Sequence, residues 1–246
     1  MKAVILAAGM GKRLKPLTSE LPKAFIPING TPLIHYSLNN LKNADITSVI
    51  IVVGFMEDFF KEKLGSNYQG MNITYVSNKE YATTGSMYSL SQIEGIVEDD
   101  IILLESDLLY EPRAIGALLD SKHQDLILVA ELSGSGDEVF VCVDNTDKII
   151  DLGKSISNEK KKNFLGELVG ISRFSKEFLH KLFKKAEEDY TEDRKNYHYE
   201  ECVFETSKLG HPVYALFFKD LVWTELDNEN DLKRAQEIVY PEIKKS

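Results

Sequence analysis

The chain has only two cysteines among 246 residues, Cys142 and Cys202, set far apart. That excludes a disulfide framework and a Cys-based metal knuckle, and two ordinary thiols in a reducing compartment are expected. The histidines His35, His123, His180, His198 and His211 have no H-E-x-x-H spacing, so all five read as structural or surface groups. No apolar run approaches the length of a membrane-spanning helix. Positive charge is in deficit: 29 Lys and Arg face 39 Asp and Glu, a net charge of −10. A basic face for nucleic acid is therefore not expected, although a local basic pocket is compatible with an acidic surface. The N-terminus runs straight into an apolar segment, so no signal peptide is expected and a cytoplasmic location is. There is no internal repeat and no low-complexity linker, and nothing in the pattern sets an oligomeric state.

What the chain does have is a large apolar fraction, 43%, enough for one α/β domain with a sizeable core. Short apolar runs recur at 4–6, 49–53, 73–76, 101–104, 126–129 and 214–218. Several lack alternation, as strands buried on both faces do. Between them, helical patterns start at Pro32 and cover 57–64 and 112–119, with further amphipathic stretches over 177–189 and 228–239. Strand–helix alternation predicts a Rossmann-like, doubly wound, mostly parallel sheet with helices on both faces. Residues 138–152 differ: two β runs flank Asp144-Asn145-Thr146-Asp147, which predicts a hairpin and an antiparallel extension over the acceptor side of the site. The charged stretches 154–163 and 187–198 read as loops. The expected organisation is a single domain over 1–246, with fusion to a further domain left open.

Residues 6–27, LAAGMGKRLKPLTSELPKAFIP, carry most of the chemistry. An apolar strand ends at Leu6 and feeds a small-residue loop, Ala8-Gly9-Met10-Gly11, followed by Lys12 and Arg13 and then by Lys23. Backbone N–H groups and three cations at a strand end are built for a polyanion, best a nucleoside triphosphate. Two familiar phosphate loops are excluded. Leu14 stands where the last Gly of G-x-G-x-x-G belongs, and Arg13 follows Gly11-Lys12 where a Walker A loop has Ser or Thr. Taken singly, such lysines are usually solvated; Lys15 has no support beyond that reading.

Nearly every position of this stretch fits the LAAGxGxRLxPLTxxxPKxxxP signature, and the chain resembles the nucleotidyltransferases that join a nucleoside triphosphate to a phosphorylated small molecule. The resemblance implies that the loop wraps the triphosphate, that Arg13 contacts its β/γ end and that Lys23 bridges the reacting phosphates. It also implies a nucleotide-diphospho-sugar-transferase-like fold and Mg²⁺ on two carboxylates, Asp107 and Asp227. Asp107 ends the buried strand read over 101–107, where ligands of open α/β sheets bind. Asp227 lies at a strand-to-helix junction. On their own, a turn residue and a helix N-cap would explain them equally well. Residues 78–90, NKEYATTGSMYSL, are similar to bacterial cytidylyltransferases that activate phosphocholine or 2-aminoethylphosphonate, with the phosphonate branch the nearer. That adds Asn78, Ala82, Thr83, Gly85 and Ser86 to the nucleotide site and makes CTP the expected donor; a Thr or Ser N-cap is the ordinary alternative.

The acceptor is expected to be a small zwitterionic phosphonate or phosphate. A quaternary ammonium asks for an aromatic box, and the single tryptophan, Trp223, lies away from 131–170. A primary ammonium asks for hydroxyl and carboxylate acceptors, which Ser133, Asp137 and Glu138 offer, with Lys154 for the phosphonate. The stretch 166–171 resembles a segment of related sugar nucleotidyltransferases, which implies that Glu167 lines the acceptor pocket. Phosphocholine, a sugar 1-phosphate and a catalytically silent nucleotide-binding subunit remain as alternatives. Tyr197-His198-Tyr199-Glu200-Glu201 has two readings, a segment closing over the acceptor and the start of a helix, and the helix is the expected one.

Overall fold

The computed structural model describes residues 1–245. Its main sheet is ordered Ile149–Gly153, Phe140–Val143, Phe164–Phe174, Ile101–Glu105, Lys2–Ala7, Ser48–Val53, Met71–Ser77, Asn67–Tyr68. Lys2–Ala7 is central and runs parallel to Ser48–Val53 on one side and Ile101–Glu105 on the other. Its side chains from Ala3 to Ala7 are buried, as the unbroken apolar run predicts. Burial of each Val, Leu or Ile here contributes about 1.5–3 kcal/mol.

Helices cover both faces: Leu33–Asn43 and Glu57–Leu64 early in the chain, Arg113–Asp120, Lys176–Thr191 and Tyr199–Ser207 later. One apolar cluster joins Met87, Leu90, Phe174, Phe178 and Tyr199 on one face; another joins Ile34, Leu38, Phe60, Tyr110 and Leu118 on the other. This is the doubly wound arrangement the sequence predicts. The hairpin is present, Phe140–Val143 paired antiparallel with Ile149–Gly153. Its turn is held by the Thr146 amide donating to Asp144 Oδ1, with Asp147 in the left-handed region at φ 65°. The second charged stretch is more ordered than its composition suggests. Residues 187–191 belong to Lys176–Thr191, and the Tyr197 hydroxyl donates to Asp189, tying the following strap back onto that helix.

Phe164–Phe174 links the parallel and antiparallel halves. Its C-terminal part pairs with Ile101–Glu105 and its N-terminal part with Phe140–Val143, and its register against Leu126–Ala130 shifts between Leu168 and Ser172. Gly170 lies in that shift at φ 84°, where a Cβ would come 3.1 Å from the Glu105 carboxyl carbon. The bend thus turns the extension over the C-terminal ends of the parallel strands. Trp223–Glu225 pairs with Leu108–Tyr110 and closes that end from the other side. Among the described residues, no helix is long and apolar enough to cross a membrane.

Candidate active site

A cleft of about 510 Å³ opens at the C-terminal ends of Lys2–Ala7 and Ile101–Glu105. Leu6, Ala8, Gly9, Met10, Gly11, Lys12, Arg13 and Lys23 form one wall. The loop is fixed from behind. Phe55 N–H donates to the Ala8 carbonyl, and the Thr18 hydroxyl donates to the Gly11 carbonyl at 2.8 Å. Gly11 is left-handed at φ 55°, and a Cβ there would press on Thr18 at 3.0 Å. The amides of Gly9, Met10 and Gly11 have no protein acceptor among the described residues, which leaves them for an anion. Lys12 borders the cleft without an ion-pair partner among the described residues.

The floor is a chain of alternating charges. Lys23 Nζ lies 2.6 Å from Asp107 Oδ2 and 2.6 Å from Asp227 Oδ1. Arg13 spans Asp227 Oδ2 and Asp137 Oδ2, each at 2.8 Å, and Lys154 pairs with the other oxygen of Asp137. The sequence thus places Arg13, Lys23, Asp107, Asp137, Lys154 and Asp227 in one network from five separate segments. Burial opposes the charge on Lys23, yet Asp107 and Asp227 win and hold its pKa above the ordinary lysine value. Burial likewise opposes the Asp227 carboxylate, and the attraction of Lys23 holds its pKa low. Asp227 is not the helix cap that its position allows. Asn228 fills that role, accepting from the amides of Asn230 and Asp231.

Glu105 and Glu225 were not legible as site residues, yet both line the cleft. Each stands two positions before an aspartate at a strand end, so the pairs Glu105/Asp107 and Glu225/Asp227 emerge together. Oxygens of Glu105, Asp107 and Glu225 lie within 4.8 Å of one another. Burial first, then repulsion from Asp107 and Glu200, raises Glu105 to about 8; burial, then Asp107 and Glu105, raises Glu225 to about 10. Asp107 Oδ1 is buried without a hydrogen-bond partner. A crowded set of hard oxygen donors with an orphaned carboxylate oxygen fits a divalent cation such as Mg²⁺.

The loop over 78–86 divides by role. Ala82, Gly85 and Ser86 line the cleft with Tyr81 and Thr84. Asn78 lies behind it, 1% exposed, donating to Thr84 and Ser89 and accepting from the Glu80 amide. Thr83 is outside the lining, its hydroxyl turned to the Glu80 carbonyl. The helix Ser86–Ser91 has Gly85 at its N-cap, without a side-chain cap. Gly85 is needed there for close approach, because a Cβ would fall 1.9 Å from the Tyr197 carbonyl oxygen. Gly85 N–H donates to Lys195 O, and Tyr199 N–H donates to Ser86 Oγ. The strap 194–199 is thereby stitched over the loop.

The acceptor side is arranged differently from the sequence expectation. Glu167 lines the cleft but is 5% exposed and accepts from both the amide and the hydroxyl of Ser133, at 2.6 and 3.0 Å. Ser133 and Glu138 stand outside the lining, and Glu138 accepts from the Gly136 amide. Asp137 is bound to Arg13 and Lys154. The lining instead includes Val139, Leu168, Val169, Gly170, Asn196, His198 and Glu200. The helix predicted from 197 begins at Tyr199, and its first turn faces the cleft, so His198 is an exposed residue on the wall of the cleft. No periodicity signals this, because it depends on how the strap crosses the loop. Of the other histidines, His211 Nε2 pairs with Asp125 at 2.8 Å and His123 stacks on Tyr214.

Residues 2–240 match the family described as Nucleotidyl transferase. A 2-aminoethylphosphonate cytidylyltransferase of Lancefieldella rimae is 30% identical over 87% of this chain and 85% of its own length. A CMP-5'-(3-aminopropyl)phosphonate synthase of Streptomyces rubellomurinus is 27% identical over 96% of this chain, which spans 38% of that relative's length. The inositol-1-phosphate CTP transferase of T. maritima superposes with a TM-score of 0.78 over 97% of both chains at 23% identity, showing the same fold.

Proposed function

The chain belongs to the nucleotidyl transferase family, and from that premise we propose that it transfers the CMP group of CTP to 2-aminoethylphosphonate and releases pyrophosphate. The observation that carries this is the alternating chain Asp107–Lys23–Asp227–Arg13–Asp137–Lys154 beside a loop of free amides. Its cations are held in place by carboxylates that a polyphosphate and its cation would relieve.

A phosphonate oxygen attacks the α-phosphorus in line; the new P–O bond forms as the bond to the β-phosphate oxygen breaks, and pyrophosphate leaves with that electron pair. Both reactants are anions, so alignment and neutralisation supply the rate. The amides of residues 9–11 cradle the phosphates, Arg13 neutralises the β/γ end, and Lys23 sits where charge builds between attacking and leaving oxygens. Asp107 and Asp227, with Glu105 and Glu225 adjacent, would hold Mg²⁺. That ion, when bound, supplies positive charge at the α-phosphate. No side chain is needed as a nucleophile, because the acceptor brings its own.

The two phosphonate-processing relatives support this acceptor class, and so does the wall chemistry. Apart from His198, Tyr81 is the aromatic side chain among the described lining residues. One ring beside the nucleotide loop is no cage for a trimethylammonium group. The test is pyrophosphate release with CTP and Mg²⁺, comparing 2-aminoethylphosphonate with phosphocholine. Rapid release with the phosphonate is expected; release with phosphocholine alone would reassign the acceptor, and release with neither would refute the reaction.

A further inference from the structure

We infer that Glu200 is the specificity residue for a primary ammonium group on the acceptor. Glu200 lies in the first turn of Tyr199–Ser207, lines the cleft, and is 8% exposed. Its carboxylate has no ion pair or side-chain hydrogen bond among the described residues, whereas the other acceptor-side acids are occupied: Asp137 by Arg13 and Lys154, Glu167 by Ser133. Its own backbone amide is its hydrogen-bond donor, and a buried carboxylate without a cation on it costs stability, so a purely structural role would have supplied one. Lys154, His198, Glu201, Tyr199 and Glu105 are the charged and titratable groups around it.

This arrangement matches a short zwitterion. Lys154 meets the anionic phosphonate, and Glu200 meets the cation at the other end. A primary ammonium can donate three hydrogen bonds to such acceptors, and a quaternary one can donate none. The assignment moves ammonium recognition from the loop at 133–138, where the sequence alone points, to the strap and helix that close over the nucleotide loop. It rests on the proposed transfer to a phosphonate.

The test is calorimetric binding of 2-aminoethylphosphonate and of ethylphosphonate, its analogue without the amine, to the wild-type protein with Mg²⁺ and CMP, and to Glu200→Gln and Glu200→Asp. The wild type is expected to prefer the amine by at least about tenfold. Glu200→Gln is expected to lose that preference, Glu200→Asp to keep part of it, and the ligand-free Glu200→Gln protein to melt higher than wild type. An equal preference in Glu200→Gln and wild type, no preference in wild type, or a lowered melting point without loss of preference would overturn the assignment. Pyrophosphate release is scored separately on the wild type. Amine preference without release with CTP and the phosphonate would refute the reaction while leaving the ammonium site standing.

Discussion

Lys23 is the residue on which the site's electrostatics turn. Its ammonium is the shared counter-charge of Asp107 and Asp227, and Glu105 and Glu225 crowd the same space. Lys23→Ala removes a group from the reacting phosphates and also leaves Asp107 unpaired while Arg13 still holds Asp227, a loss of up to about 3–5 kcal/mol. The sequence alone leads to lost activity without unfolding; the structure leads to lost activity with a lower melting temperature, partly restored by Mg²⁺, as differential scanning calorimetry would read. Asp107→Asn is the cleaner probe, because Lys23 keeps Asp227. It should retain the fold and reduce kcat by roughly 10²-fold or more in a pyrophosphate assay. The thiols behave as their scarcity suggests. Burial pushes Cys202 up to about 11 and raises Cys142, and both are 0% exposed. Iodoacetamide at pH 8, well below the native thiol's range, should label neither until the protein is unfolded.

At the scale of elements, two glycines determine how the cleft is built. Gly85 lets the strap 194–199 lie directly on the nucleotide loop, and Gly170 lets Phe164–Phe174 bend beside Glu105. Gly85→Ala must displace the backbone at Tyr197, at a cost of about 1–3 kcal/mol, and should raise KM for CTP because Ala82, Thr84, Gly85 and Ser86 line the cleft. Gly170→Ala combines a left-handed backbone with a contact at the Glu105 carboxyl. It should cost a similar ~1–3 kcal/mol while acting on the carboxylate cluster, not on the nucleotide loop. Denaturant titration with parallel KM measurements separates the two. If Gly85→Ala leaves both stability and KM for CTP unchanged, the strap is not fixed as described.

At the scale of the whole molecule, late segments complete an early site. Tyr214–Phe217 pairs with Leu126–Ala130, Trp223–Glu225 pairs with Leu108–Tyr110, and Arg234 donates to the Ser133 carbonyl at 2.7 Å. Asp227 therefore reaches Lys23 only when both ends of this sheet system are assembled. We propose that residues 1–245 unfold as one cooperative unit, which coincident fluorescence and circular dichroism transitions would establish. Ligand linkage should be visible in the same experiment. Mg²⁺ and CTP together, at a hundred times their dissociation constant, add about 2.7 kcal/mol, or roughly 5–10 °C for a chain of this size. EDTA should remove most of that gain if the carboxylates of 105–107 and 225–227 hold the cation.

Family resemblance singled out Lys23, Asp107 and Asp227 as expected site residues; the sequence by itself determined what is local or periodic: the buried parallel strands, the hairpin at Asp144–Asp147 and the glycine loop at 8–11. Those features follow from side-chain volume, backbone freedom and spacing along one segment. Only the tertiary structure decided which charges meet. Asp137 was legible as an acid but not as the partner of Arg13, Glu167 as a lining residue but not as the acceptor for Ser133, Glu200 only as part of a stretch with a second reading over the acceptor, and Glu105 and Glu225 not at all. The reason is physical. A carboxylate's role is set by how much water it loses and which cation it faces, and both are properties of segments brought together from 84, 124 and 204 residues apart.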